Sequence, residues 1–312
     1  MSALTTVHAL EKTVASTLGE RLTEQAKRYA GKMLLATDQR RVSYEQMETI
    51  SQSVAHGFQN LGVGKGDVVC QMLPNCEEFI FNWLGLAKIG AINAPLNPQF
   101  SGQALLRLIN HTETRVLVLE ESLESAIVAI EPHLEHLEHI IYRARDGFVP
   151  DARLSRFSHS RLDSLIQTGG RPVPVPVKFS DPVMILFTSG STGPSKAVEW
   201  SHRYALHYAA EYIEHWELVE QDVLYTAYPL FHVDAAVSTF LTALHRGASA
   251  VVMSKFSVNR FWDDIREHGA TITTFMGAVA VFLFNKPERD DDAENSLRLV
   301  LMAPVPDFWR AF

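Results

Sequence analysis

Apolar residues recur at helical spacing at Val14, Leu18, Leu22 and Ala26, and again at Tyr44, Met47, Ile50, Val54, Phe58 and Leu61. Each series lays a stripe along one side of a helix, and such a stripe most often packs on a core. The second helix has its start written into the chain. Ser43-Tyr44-Glu45-Gln46 is a capping box, with Ser43 able to accept from an early N–H and Gln46 able to reach back. A third stripe, Phe79, Ile80, Trp83, Leu84 and Ala87, predicts a helix over 77–89, closed by Gly90 in a left-handed cap. Short apolar runs at 32–36, 68–73 and 91–96 read as strands. Strand, helix and strand joined by short turns form the unit of a parallel sheet. The alternation continues with helices at 103–110 and 122–131 and strands at 115–119 and 139–142.

Residues 143–180 break this rhythm. Gly169-Gly170-Arg171-Pro172-Val173-Pro174-Val175-Pro176 removes backbone donors and excludes helix, so it predicts an extended connection. The expected division is a first α/β subdomain with N-terminal helices over 1–170 and a second over 171–312. The second begins with a strand at 183–187 and continues with a helix at 200–216 starting near Ser201. Strands at 222–227, 249–253, 271–275 and 297–301 then alternate with helices at 235–245, 258–268 and 278–284. The predicted class is α/β, with two stacked parallel-rich sheet subdomains flanked by helices.

The junction after the 183–187 strand carries chemistry. It reads Thr188-Ser189-Gly190-Ser191-Thr192-Gly193-Pro194-Ser195-Lys196. Glycine lets backbone N–H groups approach an anion, the hydroxyls add donors, and the ammonium supplies countercharge, which together suit phosphate. This is not a Walker loop: counted from Gly190, the second glycine's place is Ser195, and Ala197 follows Lys196 where a hydroxyl is needed. A Ser/Thr/Gly run can also be only a flexible turn. The preceding strand and the closing lysine favour phosphate. Gly62-Val63-Gly64-Lys65-Gly66 precedes its strand instead of following it, so those glycines are read as turn residues. Phe231-His232 closes a predicted strand, where open α/β folds place functional side chains. The other reading of His232 is a structural histidine. Asp234 can be read as a contact for a cationic substrate group, or as a solvated or capping aspartate.

The 312 residues are 46% hydrophobic and 21% charged, an ordinary globular composition. Lys and Arg number 28 against 36 Asp and Glu, for a net charge of −8, and no basic stripe is present. Nucleic acid and anionic membrane are excluded as main partners. The only cysteines, Cys70 and Cys76, lie outside metal or redox spacing and read as thiols in a reducing compartment. The first ten residues carry no signal pattern and no run is long enough to span a membrane, so a cytoplasmic protein without an integral membrane segment is expected.

The loop resembles the phosphate loop of the adenylate-forming superfamily, whose pattern is T-S-G-S-T-G-x-P-K-G. That superfamily comprises acyl-CoA synthetases, luciferases and peptide-synthetase adenylation domains. Ser195 stands where the pattern has proline, and Ala197 where it has glycine. Leu61-Gly62-Val63-Gly64-Lys65-Gly66-Asp67, Leu73-Pro74-Asn75 and Pro95-Leu96-Asn97-Pro98 resemble the same superfamily in order and separation. Phe231-His232 resembles the pair lining the carboxylate pocket in the CoA-ligase branches. The stretch 273–279 resembles the acyl-pocket wall, and 298–306 resembles the G-G-A-P-L strand and loop beside the adenine, with Leu301 and Met302 replacing both glycines. Residues 228–234 and 258–262 look most like carnitine and fatty acyl-CoA ligases.

The resemblance implies the N-terminal large domain of an adenylate-forming enzyme, truncated, in an ATP-dependent carboxylic acid–CoA ligase. Its cofactors would be ATP and Mg²⁺, with CoA as co-substrate, and its small-molecule partners a carboxylic acid, ATP and CoA. It assigns Thr188, Ser189, Gly190, Ser191, Thr192, Gly193 and Lys196, with Ala303 and Pro304, to the nucleotide, and Thr188 to the metal. It assigns Lys196 and His232 to catalysis, and Phe231, His232, Phe275, Met276 and Gly277 to the acid pocket. The superfamily's later motifs and C-terminal lobe have no counterpart in these residues. The chain alone is therefore expected to turn over negligibly, with core left uncovered as a route to self-association as a homo-oligomer. Two other readings stay open: a non-catalytic ATP- or acyl-binding module, motivated by positions 195, 197, 301 and 302, and an amino-acid adenylation domain, against which His232 argues.

Overall fold

The computed structural model describes residues 16–166, 169–188 and 195–312. The chain opens with helix α1 (Leu18–Tyr29), strands β1 (Met33–Ala36) and β2 (Arg41–Ser43), and helix α2 (Tyr44–Asn60). The predicted capping box is present: the Ser43 hydroxyl accepts from Gln46 N–H at 3.2 Å, and Ser43 N–H donates to the Gln46 side chain at 2.9 Å. Next come β3 (Val68–Met72), α3 (Glu77–Ile89), β4 (Ile92–Pro95), α4 (Gly102–His111), β5 (Val116–Glu120), α5 (Glu124–Val128) and β6 (His139–Arg143). Gly90 closes α3 at φ 73°, the left-handed geometry expected of it.

Beyond lie β7 (Ser158–Arg161), α6 (Leu162–Ile166), β8 (Pro182–Phe187), β9 (Ala197–Ser201), α7 (His202–His215) and β10 (Val223–Thr226). Helix α8 is π-helical over Asp234–Leu241 and α-helical over Thr242–Arg246. The described chain ends with β11 (Ser249–Val252), α9 (Phe261–His268), β12 (Ile272–Met276), α10 (Gly277–Phe284) and β13 (Leu299–Ala303). The break expected over 143–180 contains an element the pattern did not reveal. Strand β7 reads Ser-His-Ser-Arg on the sheet edge, half exposed, so burial imposed no apolar alternation on it. The helix expected from residue 200 begins at His202, because Trp200 belongs to β9 and Ser201 is the cap.

Two mixed sheets form. One runs β7-β6-β5-β3-β4-β8-β9 and the other β13-β12-β10-β11-β1-β2. All neighbours are parallel except the edge pairs β8–β9 and β1–β2. The expected division at residue 171 does not follow these sheets. Strand β8, which precedes the expected phosphate loop, joins the first sheet beside β4, and the early strand β1 joins the second beside β11, with Leu35 opposite Ala250. Pairing at long sequence separation decides membership, and local periodicity carries no trace of it.

Side-chain alternation turns the sheets into layers. Val69, Val116, Val118 and Ile141 of the first sheet and Leu35, Leu224, Ala250, Val252 and Ile272 of the second share one central core. That core is filled by α1, α2, α3, α7 and α8. The opposite faces pack outward: Cys70, Met72, Leu117 and Leu119 under α4 and α5, and Tyr225, Val251 and Phe275 under α9 and α10. The order is helices, sheet, helices, sheet, helices.

One side chain ties the C-terminal ends of the strands across the two sheets. Asn75, just past β3, donates to the carbonyls of Tyr228 at 2.7 Å and Met253 at 2.9 Å, and accepts the Leu230 N–H at 2.8 Å. Asn75→Ala strands three backbone groups at a half-buried junction. We expect a loss of about 1–3 kcal/mol, read as a lower urea midpoint at constant m-value; an unchanged midpoint contradicts the role.

Two histidines sit in the core uncharged. His202 is fully buried, its Nδ1 accepting the Leu18 N–H at 3.0 Å, and burial holds its pKa down at about 4 despite nearby Asp181 and Glu20. Burial likewise holds His245 at about 3. The unfolded chain binds these protons from about pH 6.5 downward while the native chain refuses them, so stability is full above pH 6.5 and falls below it. The expected loss at pH 5 is on the order of 2 kcal/mol per histidine. His202→Gln should flatten the fall in urea midpoint between pH 7 and pH 5.

Candidate functional site

Strands β8 and β9 are antiparallel, with Phe187 opposite Ala197. Just beyond that pair, Thr188 N–H donates to the Lys196 carbonyl at 3.0 Å, and Lys196 N–H donates to the Thr188 hydroxyl at 3.2 Å. The ends of the loop are thus fastened to each other, and the Lys196 ammonium is left exposed at its mouth. Ser189, Gly190, Ser191, Thr192 and Gly193 lie outside the described residues.

The second group stands at the C-terminal edge of the other sheet. His232 N–H donates to the Pro229 carbonyl at 2.9 Å, and the Asp234 N–H is donated to His232 Nδ1 at 3.2 Å. A ring nitrogen that accepts carries no proton, so the hydrogen of the His232 imidazole lies on Nε2, and the residue is exposed. Asp234 begins α8, and its Oδ2 accepts from the Thr274 hydroxyl at 2.7 Å. Burial pushes its carboxyl up against the opposing effects of Thr274 and His232. The Tyr228 hydroxyl accepts the Met276 N–H in a short hydrogen bond. His232, Asp234, Tyr228, Thr274 and Met276 therefore converge where β10 and β12 end.

The other assigned residues divide. Met276 is 54% exposed. Gly277 meets the backbone of Pro304 so closely that a Cβ would lie 2.9 Å from its carbonyl oxygen. Met276 pairs in register with Ala303, which brings Ala303 and Pro304 to the same edge. Phe231 is half-buried and lines a cleft of ≈ 360 Å³ with Asn75, Asn97, Gln99, Lys255 and Phe256. Phe275 goes the other way. It is 5% exposed, its ring 6.0 Å from that of Phe261 and 6.1 Å from that of Phe312, because alternation along β12 turns it outward. It reaches only a crevice of ≈ 20 Å³ beside Tyr228 and Thr274. No hydrogen bond or ion pair among the described residues joins the Thr188–Lys196 group to the His232 group.

The Asn75 bridge, the Tyr228–Met276 bond and the Asp234–Thr274 pair leave no signature in the sequence pattern. Each joins elements at least 40 residues apart. Among the described residues no group of three His, Cys, Asp or Glu is placed to hold a metal. Thr188 offers one hydroxyl, already accepting from Lys196. For Mg²⁺ that donor set fits only an ion held mainly by the phosphates of a bound nucleotide. No helix among the described residues is long and apolar enough to cross a membrane.

A family model described as AMP-binding enzyme matches residues 22–311. The chain is 31% identical over 269 residues to the crotonobetaine/carnitine–CoA ligase of Proteus mirabilis (strain HI4320), covering 84% of this chain and 50% of that protein. It is 29% identical over 300 residues to long-chain fatty acid transport protein 2 of Rattus norvegicus, covering 93% and 47%. The chain spans about half the length of the curated relatives it matches. Among solved structures it is similar to the inhibitor-bound N-terminal domain of FACL13 from Mycobacterium tuberculosis, with a TM-score of 0.77, 25% identity and coverage of 94% and 71%. It shares the fold of the anthranilate CoA ligase AuaEII, with a TM-score of 0.81, 20% identity and coverage of 93% and 55%.

The contact of Gly277 with Pro304 is testable. Gly277→Ala drives a methyl into a carbonyl oxygen and must part β12 from the Ala303–Pro304 turn. A destabilisation of about 1–3 kcal/mol is expected, measured by chemical denaturation; parental stability contradicts the close approach.

Proposed function

The chain belongs to the AMP-binding enzyme family, and from that premise we propose that it supplies the nucleotide and acid sites of an ATP-dependent carboxylic acid–CoA ligase. The observation that carries this reading is the placement of the Thr188–Lys196 loop and the His232 group at the C-terminal edges of two sheets that Asn75 ties together. Ligands of open α/β sheets bind at such edges.

In the first half-reaction a carboxylate oxygen of the acid bonds to the α-phosphorus of ATP, the bond to the β-phosphate oxygen breaks, and pyrophosphate leaves. Catalysis of this step is positioning plus charge stabilisation. An anion must approach a polyanion, and the exposed Lys196 ammonium reduces that repulsion at the phosphate side. His232 presents its Nε2–H to the acid, held in that tautomer by the Asp234 N–H. Ala303 and Pro304 form the shelf for the base, and Met276 and Phe231 flank the acid. Thr188 is the residue that would help hold magnesium, which would supply charge neutralisation at the phosphates. In the second half-reaction the CoA thiol gives up its proton to solvent, its sulfur bonds to the acyl carbon, the bond from that carbon to the AMP oxygen breaks, and AMP leaves. The buried, unpaired Cys70 and Cys76 are compatible with a reducing compartment, the cytoplasm, for this chemistry.

A chain with these sites binds ATP. Lys196 is exposed, so Lys196→Ala should leave the melting temperature unchanged while weakening MgATP binding by about 10–100-fold, the value of a charge-assisted hydrogen bond. Titration calorimetry decides, and absence of ATP binding by the parent chain overturns the proposal.

A further inference from the structure

Strands β3 and β4 lie in the interior of their sheet, and parallel strands covered on both faces are ordinarily apolar throughout. Each is interrupted by an amide, Gln71 in β3 and Asn93 in β4. Asn82 supplies a third from the middle of α3, the helix that joins the two strands. All three residues are 0% exposed. They form one cluster. Gln71 Nε2 donates to Asn93 Oδ1 at 2.8 Å and to the carbonyl of Phe79, in the first turn of α3, at 3.2 Å. Gln71 Oε1 accepts from Asn82 Nδ2 at 3.2 Å.

The Phe79 carbonyl decides how every amide in the cluster is turned. A carbonyl only accepts, so the end of Gln71 beside it is the nitrogen. Asn93 must then offer its oxygen to that nitrogen, and Asn82 its nitrogen to the Gln71 oxygen. Reversing any one amide sets two acceptors or two donors against each other. The two ends left over are therefore fixed as Asn82 Oδ1, an acceptor, and Asn93 Nδ2, a donor. Both are buried, and neither has a hydrogen-bond partner among the described residues.

A buried polar atom without a partner forfeits its hydration and gains nothing in return. What satisfies this pair must donate to Asn82 and accept from Asn93. A cation is repelled by the Asn93 N–H groups, an anion by the Asn82 oxygen, and an apolar group answers neither. Water does both, and enclosed waters typically bond about three buried polar groups.

We infer that the β3–α3–β4 unit encloses a structural water site, in which at least one water molecule donates to Asn82 Oδ1 and accepts from Asn93 Nδ2. The water completes the cluster that fastens α3 to both strands. Helix α3 begins two residues beyond Asn75, so the same cluster steadies the side chain that joins the two sheets. The site is sealed from substrate and does not depend on the ligase function.

A crystal structure of the full chain, at a resolution that shows ordered water, should place a water about 2.7–3.2 Å from both Asn82 Oδ1 and Asn93 Nδ2. No water there, or a direct bond between those two atoms, overturns the inference. In solution, magnetic relaxation dispersion of the water ¹⁷O nucleus counts long-lived internal waters. The parent chain should hold at least one more than the variant carrying Gln71→Leu, Asn82→Leu and Asn93→Leu, whose cluster is apolar and dry. An equal count in the two folded proteins overturns the site. If the variant does not fold, the parent crystal structure decides alone.

Discussion

Two sheets that do not share a strand can present one site only if something fixes their edges against each other. Much of the fixing is apolar, since α1, α2, α3, α7 and α8 fill the core between them. Apolar packing is tolerant of sliding, because contact area changes little when one layer shifts on another. Hydrogen bonds are not tolerant of it. The Asn75 amide closes three bonds to backbone groups after β10 and β11, from a position one turn beyond β3. It therefore sets where Tyr228, Leu230 and Phe231 stand relative to the edge that carries Thr188 and Lys196. An aspartate at this position could not donate to the two carbonyls, and a leucine could satisfy none of the three.

Within the second sheet the same task is done by bonds between neighbouring strand ends. Asp234 with Thr274 fastens the start of α8 to β12, and Tyr228 with the Met276 N–H fastens the exit of β10 to the exit of β12. The π-helical opening of α8 belongs to this arrangement. Wide helical turns are uncommon and cluster at functional sites. Here the wide turns run from Asp234 through residues buried on every side, so they are enforced by packing. His232 is positioned at the entrance of that helix while remaining exposed, which lets a side chain in contact with solvent keep a fixed tautomer.

What was legible in the sequence was whatever is set locally or by burial. The capping box at Ser43, the extent of α3 and the glycine that closes it follow from contacts within a turn or two, and the structure has them where the spacing placed them. Central strands such as β3 and β5, buried on both faces, announce themselves as apolar runs. Strand β7 does not, because an edge strand with half-exposed residues has no reason to alternate. The exchange of strands between the two halves of the chain was invisible for another reason. Pairing of β1 with β11 joins residues more than 200 positions apart, and no local pattern encodes a partner at that distance. In the candidate site the residue types of the loop and the Phe231-His232 pair were readable, whereas the outward turn of Phe275 followed from its parity on β12.

Parity also sets the packing of β13, where Leu301 and Met302 stand in place of the two glycines of the resembling strand. Glycine is required where another backbone comes too close for a Cβ. On this edge the close approach is made by Gly277 to the Pro304 carbonyl, at the adjoining strand, and not at 301 or 302. Met302 turns outward with Val300 onto the apolar cluster beneath α9 and α10, where a side chain adds packing. Leu301 turns the opposite way and is 39% exposed, so its bulk displaces no core residue. Neither side chain obstructs the register of β12 with β13, which runs unbroken from Ile272 opposite Leu299 to Met276 opposite Ala303. The Ala303–Pro304 turn is therefore delivered to the edge beside Met276 by a strand whose pairing accommodates both side chains.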